Sequence, residues 1–405
     1  MHVVVLGGDG FCGWPTSLHL AELGHQVTIV DNLSRRQISE ELSAPSLTPI
    51  APIANRLQAV DDTGIGDVSF EYVDVARDVA GLSRVLSSKP EAVVHFAEQR
   101  AAPYSMRSPR HKRYSIDNNV QATHNLLSVM VEECPDAHLV HLGTMGVYGY
   151  KSHGRALPEG YLRLDDPGSH LEDWEVLYPT DPGSVYHLSK SLDQLMFQFY
   201  AKNDGLAITD LHQGVVWGIE TAQTRLDPRL VNRFDYDGDY GTVLNRFLVQ
   251  AAIGQPLTVH GSGGQTRAFI NIGDSVRCIE LALSDPPPRG SRVTIRNQMT
   301  ETFSIQQLAQ IVSGLFGVGV ANIPNPRYEA DENDLHVDNS SLVRLGLNPT
   351  SLRDSLLREV ELLASEYAGR LVRSSIPCTT PWNRRRSEAM QDGGAIEVTP
   401  AEVNN

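Results

Sequence analysis

The sequence predicts an α/β protein: a mainly parallel β-sheet covered by helices on both faces, with a smaller, discontinuous second domain. Three observations carry this. A compact β-branched run, Val3 to Leu6, leads through closely spaced glycines into an apolar helical stretch and a second strand. Strand-like runs then recur with helical stretches between them, and repeated β-α alternation implies parallel strands buried on both faces. Beyond about residue 219 this regularity is lost. With 405 residues, 41% of them hydrophobic, the chain can bury a large core and fits two domains or one enlarged domain.

The elements follow in order. Leu18, Leu20 and Leu23 give the 14–23 stretch helical spacing with Gly24 as a stop, and Val27 to Val30 form a strand ending at Asp31. Further strands are expected at "VSFEYVDV" (68–75), "AVVHFA" (92–97), "HLVHLG" (138–143) and "AITDLHQGVVWG" (207–218). The Gly-, Pro- and Asp-containing stretch 145–182 reads as a long excursion over a site. After 219, "AQTRLDPRLVNRFDYDGDYG" reads as loop, "TVLNRFLVQAAIG" as helix and "PLTVHG" as strand, with helices at 273–284, 304–316 and 351–370. The expected division is 1–218 for a cofactor and the catalytic residues, 219–372 for a substrate with segments returning to the first domain, and 373–405 as a polar tail ordered only by contact.

Composition excludes several classes. Lys and Arg number 34 against 49 Asp and Glu, and the formal charge of −15 argues against a general affinity for nucleic acid. Cys12, Cys134, Cys278 and Cys378 form no short metal-ligand cluster and read as ordinary, mostly buried thiols, so no metal is expected. The first residues already form a strand pattern, and no apolar run approaches membrane-spanning length, so a soluble cytoplasmic protein is expected.

The first chemical constellation is Gly7, Gly10 and Gly13. Glycines there permit a tight turn, approach of backbone to a pyrophosphate, and close helix–sheet packing, while the helix N-terminus faces phosphate charge. The spacing differs from GxGxxG, but the flanking strand, helix and acidic strand end favour a dinucleotide over an incidental turn. Asp31 can accept hydrogen bonds from both adenosine ribose hydroxyls and would repel a 2′-phosphate, favouring NAD over NADP. Arg35 and Arg36 could reach a phosphate or lie in a solvated loop. Asp74 could contact adenine or simply end a strand. Phe11, Cys12, Asn32, Val75 and Phe96 belong to the same expected cofactor site.

The second constellation lies in "GSVYHLSK". Tyr186 and Lys190 share a helix face, and a nearby ammonium lowers the cost of forming phenolate. Tyr186 can then take an alcohol proton while the carbon gives hydride to NAD, and Thr144, after "HLVHLG", can hydrogen-bond the same oxygen. Lys190 counts with the cofactor as well. Amphipathic packing for Tyr186 and a strand-end cap for Thr144 are the plain alternatives; Ser189 fits packing as well as catalysis.

The glycine turn, Asp31, "HFAEQRAAPYS", "NNV", "LGTMGVYG" and "YHLSK" resemble the extended short-chain dehydrogenase/reductase family of nucleotide-sugar epimerases and dehydratases, which implies a Rossmann-like fold. "GDGFCGW", "EQRAAPYSM", "TDLHQGVVWG", "GTVLNRF", "GGQTR" and "NPRYEA" are similar to its sulfoquinovose synthase branch, with matches from residue 3 to about 350. The resemblance implies tightly held NAD, a UDP-hexose substrate, transient oxidation at sugar C4 and a homodimer. In that branch the C4 ketone acidifies C5, the C6 hydroxyl leaves, sulfite adds, and hydride returns to C4. His187 can shuttle a proton or attract sulfite because its charge can change near neutral pH; a core or capping histidine is the alternative. Arg100 is a candidate for anion placement. The resemblance assigns Arg267 to the uridine diphosphate, and Arg327 fits a second contact; each could instead pair with a carboxylate. Asn119 and Gln213 suit hydrogen bonds to cofactor or sugar, or backbone anchoring, and Thr242 belongs to the expected substrate site.

One position departs from the pattern. The 4,6-dehydratases follow the threonine with Asp and Glu, whereas Thr144 is followed by Met145 and Gly146, and Val147 stands where the compared sulfoquinovose synthases carry glutamate. Valine cannot transfer a proton. Sulfonation by another base, simple C4 epimerisation and action on a different nucleotide sugar each fit this departure, as does a binding protein without turnover. The intact Thr144, Tyr186 and Lys190 set argues against the last.

Overall fold

The computed structural model describes residues 1–149, 154–164, 175–327 and 332–382. Its strands are β1 (His2–Leu6), β2 (Gln26–Asp31), β3 (Val68–Tyr72), β4 (Ala92–His95), β5 (His138–Leu142), β6 (Tyr161–Arg163), β7 (Glu175–Leu177), β8 (Ala207–Gln213), β9 (Val215–Trp217), β10 (Leu257–His260), β11 (Thr266–Asn271), β12 (Thr294–Gln298), β13 (Glu301–Ser304) and β14 (Val320–Ile323). Seven of them form one parallel sheet in the order β12-β8-β5-β4-β1-β2-β3. This is the expected Rossmann-like sheet with its helices.

Alternation along β1 shows why both faces are covered. Val4 and Leu6 join Leu126, Met130 and Phe197, from the helices Pro109–Glu133 and Val185–Asp204, in one apolar core. Val3 and Val5 join Trp14 and Leu18, from the helix Gly13–Glu22, and Ile279 and Leu283, from the helix Ile272–Ser284, in another. Successive side chains of a strand point to opposite faces, so a run apolar at every position has to be sandwiched. The strand order reverses at β1, between β2 and β4, which opens a crevice at the carboxyl ends of the strands.

A third apolar core holds Trp217, Phe234, Phe247, Phe269, Leu308 and Leu356. Around it lie the sheet β13-β11-β9, the pair β10-β14 and the helices Val243–Ala252, Ile305–Phe316 and Leu352–Leu362. β12 returns from this half of the chain to the edge of the main sheet, beside β8.

Two expectations need correction. The 207–218 run is two strands in two sheets: β8 pairs with β5 and β12, and after Gly214 β9 pairs with β11. Apolar content marks both pieces as strand but is blind to which partner each will meet. The 351–370 helix stops being regular α-helix at Leu362 and runs on through a wider turn, Leu363–Tyr367, and a tighter one, Ala368–Arg370. The first part of the tail is held by contacts: Ile376 and Cys378 are buried, Gly238 donates its N–H to Ser375 O at 2.8 Å, and the Thr380 hydroxyl meets Asp239 at 3.3 Å. Residues 383–405 of that tail, like 150–153 and 165–174 of the excursion, lie outside the described residues. All four cysteines are buried free thiols, and among the described residues no helix is long and apolar enough to cross a membrane.

Candidate active site

A single cavity of about 690 Å³ runs from the glycine turn and Asp31, past Thr144 and Tyr186, to Arg267 and Arg327. The turn at its head is as close as glycine allows. Gly7 has φ +80°, and a Cβ on Gly13 would stand 2.2 Å from Gly7 O, so the strand and helix could not meet with any larger residue. Asp31 accepts the Asp9 N–H at 3.0 Å and the Leu33 N–H at 2.7 Å. Burial, and then the neighbouring Asp9 carboxylate, push its carboxyl up to about 6. Asp9 is itself clamped by Arg36 and Arg56, each at 2.7 Å, so Arg36 is a structural partner of the turn. These features fit a dinucleotide: a collision-free glycine cradle, a helix N-terminus and a carboxylate at the strand end.

Gly7, Gly10, Phe11, Cys12, Gly13, Asp31, Asn32, Arg35, Asp74, Val75 and Phe96 all line this part of the cavity. Two of them are tied to protein partners there. Arg35 pairs with Asp235 at 2.9 Å and lies over the Tyr240 ring at 3.7 Å, while Asp74 pairs with Arg77 at 3.0 Å. Burial pushes the Cys12 thiol up to about 11, which keeps it protonated. Asn119 does not line the cavity. It lies one layer behind, accepting the Gln99 N–H at 2.8 Å and donating to Gln99 O and the Ser189 hydroxyl at 3.0 Å each. This is the anchoring alternative for Asn119. Ser189 likewise packs inward, donating to Tyr186 O at 2.8 Å.

Thr144 follows β5 and caps a short turn by accepting the Gly146 N–H at 3.1 Å. Tyr186 stands in the first turn of the helix Val185–Asp204, whose N-cap Ser184 accepts the His187 N–H at 3.2 Å, and its own N–H is held by the Ser105 hydroxyl at 3.1 Å. Lys190 lies one turn further on, buried, with its ammonium 2.9 Å from Glu98, 2.8 Å from His141 Nε2 and 2.8 Å from Leu142 O. Burial alone would lower the Lys190 pKa, but Glu98, Asp193 and Tyr186 raise it above the ordinary value, so the ammonium stays charged. Burial works against ionised Glu98 too, yet Lys190 and His141 hold its carboxyl below the usual carboxylate range. Glu98, His141 and Asp193 are close enough together to hold a metal ion, and Lys190 supplies the positive charge among them.

At the far end, His187, Arg100, Gln213, Thr242, Arg267 and Arg327 also line the cavity. His187 corrects an expectation. Burial, then the charges of Arg267 and Arg327, push its imidazole down to about 3, so it is neutral and does not change charge near neutral pH. Arg100 pairs with Asp235 at 2.7 Å. Arg267 donates to Thr266 O at 2.9 Å, and Gln213 donates to the Ser275 hydroxyl at 2.6 Å. Thr242 accepts the Asn245 N–H at 3.3 Å as the cap of its helix, and Arg327 lies over the Trp382 ring at 4.9 Å.

Among the cavity residues that escaped the sequence reading are Glu98, Asp181, Arg246 and Trp382. Glu98 carried a usable signal, a carboxylate just past an apolar strand. Arg246 and Trp382 carried none, since a helical arginine and a tryptophan near a polar tail reach the site only through tertiary packing.

The family model for the NAD dependent epimerase/dehydratase family matches residues 3–294. UDP-sulfoquinovose synthase from Spinacia oleracea is 42% identical over 397 residues, covering 94% of this chain and 79% of that protein. Its counterpart from Sulfolobus acidocaldarius is 37% identical over 356 residues, covering 86% and 88%. The crystal structure of UDP-glucose 4-epimerase from Thermotoga maritima superposes with a TM-score of 0.67 at 22% identity, covering 89% of this chain and 98% of that one, a likeness of fold. With its glycine turn, its strand order and these relatives, the chain belongs to the NAD dependent epimerase/dehydratase family.

Proposed function

We propose that the protein oxidises C4 of a UDP-hexose transiently and converts UDP-glucose and sulfite to UDP-sulfoquinovose. The observation that carries the reading is the meeting of Thr144, Tyr186 and Lys190 on the cavity that also holds the glycine turn and Asp31. The identity to two UDP-sulfoquinovose synthases supports the substrate and the outcome. Bound NAD would supply the reversible hydride chemistry at C4. Gly7, Gly10, Gly13, Asp31 and Asn32 would hold its adenosine and pyrophosphate.

Tyr186 takes the C4 hydroxyl proton, and Thr144 orients that oxygen. Lys190 stabilises the phenolate, while Glu98 anchors the ammonium below the helix. Arg267 and Arg327 supply positive charge for the diphosphate, and Gln213 and Thr242 supply hydrogen bonds. In this division of labour residues 1–218 serve mainly the cofactor and chemistry, and 219–372 mainly the nucleotide sugar. On the same family resemblance we take the working form to be a homodimer, with mass in solution as the check on its assembly.

Buried, apolar Val147 favours a second reading, C4 epimerisation, in which no proton leaves C5. Purified protein is incubated with UDP-glucose, with and without sulfite, and the products are resolved by mass and NMR. A UDP-linked C6 sulfonate formed only with sulfite supports sulfonation. UDP-galactose formed without sulfite supports epimerisation and overturns it.

A further inference from the structure

We propose that Asp181 is the general base that removes the C5 proton of the oxidised sugar; this rests on the sulfonation reading above. A ketone at C4 acidifies the C5–H bond, but the proton still needs an acceptor within reach. Val147 offers none: it is buried with Met145, Tyr148 and Leu157 in an apolar cluster. His187 is held neutral and weakly basic by burial and two arginines. Tyr186 is engaged at C4.

Among the described residues, the carboxylates lining the cavity are Asp31, Asp74, Glu98, Asp181 and Asp239. Four are already committed. Asp31 is bound by two backbone N–H groups at the cofactor end, Asp74 pairs with Arg77, Glu98 pairs with Lys190, and Asp239 pairs with Arg107 and meets Thr380. The Asp181 carboxylate has no cation or hydrogen-bond donor among the described residues, and the residue is exposed.

Its position is built. The Asp181 N–H donates to Val147 O at 2.9 Å, which pins it to the turn that begins at Thr144. The side chain rests on Gly149, at φ +74°, where a Cβ would stand 2.7 Å from Asp181 Cβ and 2.8 Å from Oδ2. Only glycine leaves that seat open. Five residues further on, the same segment delivers Tyr186, so one stretch of chain carries acceptors for two sugar protons. A carboxylate missing at position 147 is thus replaced from a neighbouring loop.

The step balances. The C5–H bond breaks and its proton passes to an Asp181 oxygen. The C–H electron pair becomes the C5–C6 π bond as the C6–O bond breaks, and the departing hydroxide takes the proton from Asp181 and leaves as water. The carboxylate is restored, and the C4 ketone and the new alkene form the acceptor to which sulfite adds.

The test uses the full-length protein carrying NAD, incubated with UDP-glucose in deuterated water without sulfite. Bound-NAD reduction is followed optically, and C5 deuterium by mass and NMR. Wild type is expected to reduce NAD and exchange C5. Asp181→Asn should slow C5 exchange ~10²–10⁴-fold, far more than it slows C4 oxidation. Asp181→Glu should recover part of the exchange. Asp181→Asn exchanging C5 as fast as wild type overturns the proposal. Wild type that reduces NAD yet leaves C5 unexchanged overturns it together with the sulfonation route, while C4 oxidation stands. No NAD reduction at all strikes the functional reading itself, and this proposal falls with it.

Discussion

Lys190 and Glu98 are expected to behave as one buried unit, and a double-mutant cycle measures it. Their side chains are 4% and 3% exposed, with Nζ and Oε2 2.9 Å apart. Lys190→Met fills a similar volume but leaves the Glu98 charge with His95, His141 and the Thr123 hydroxyl and no ammonium, and removing one partner of a buried pair costs about 3–5 kcal/mol. Glu98→Gln should cost less, because a second carboxylate stands by. Asp193 lies 4.0 Å from Lys190, and its carboxyl is pushed well above the usual range by burial and then by the Glu98 charge. Once that charge is gone, Asp193 can ionise beside the ammonium, so the loss should be nearer about 1.5–3 kcal/mol, that of a charged hydrogen bond. The double variant removes both charges and should be more stable than the summed single effects by about 2 kcal/mol. Urea unfolding of the NAD-free proteins at neutral pH, followed by near- and far-ultraviolet circular dichroism in one coincident transition, measures all four corners. Additive single effects, or a Glu98→Gln protein less stable than Lys190→Met, would refute this account of the ammonium site.

Two further outcomes follow from the same cavity. Tyr186→Phe keeps the ring but removes the transferable proton, so pre-steady-state reduction of bound NAD by UDP-glucose should fall ~10²–10⁴-fold with NAD affinity largely retained; a wild-type reduction rate would reject Tyr186 as the base. Asp31 should set both cofactor choice and its pH dependence. Its carboxyl is pushed up to about 6, and the ionised form that accepts the ribose hydroxyls exists above that pH. Calorimetry should therefore show NAD affinity lost as pH falls through about 6, while Asp31→Ala binds NAD more weakly, separates it less from NADP and loses this pH step. Strong NADP preference in wild type, or an affinity flat across that range, would sink the assignment.

Much of this protein is decided locally, and local decisions are legible in sequence. Val3 to Leu6 is apolar at every position, which requires a strand covered on both faces. Gly7 and Gly13 announce a turn without room for a Cβ, and the four-residue spacing of Tyr186 and Lys190 puts both on one helix face. What surrounds those groups depends on chain segments far apart in sequence. Glu98, just past β4, meets Lys190 on the helix Val185–Asp204, some ninety residues further along the chain. His187 has the sequence of a pH switch, but burial and two arginines from the other half of the chain hold it neutral. Gly214 divides one apolar run between two sheets because β9 finds β11, a partner more than fifty residues on. Local pattern determined which elements form and which side chains can do chemistry. The tertiary structure decided which charges neutralise one another and which carboxylates are already paired, because burial and Coulomb interactions depend on neighbours that sequence distance does not reveal.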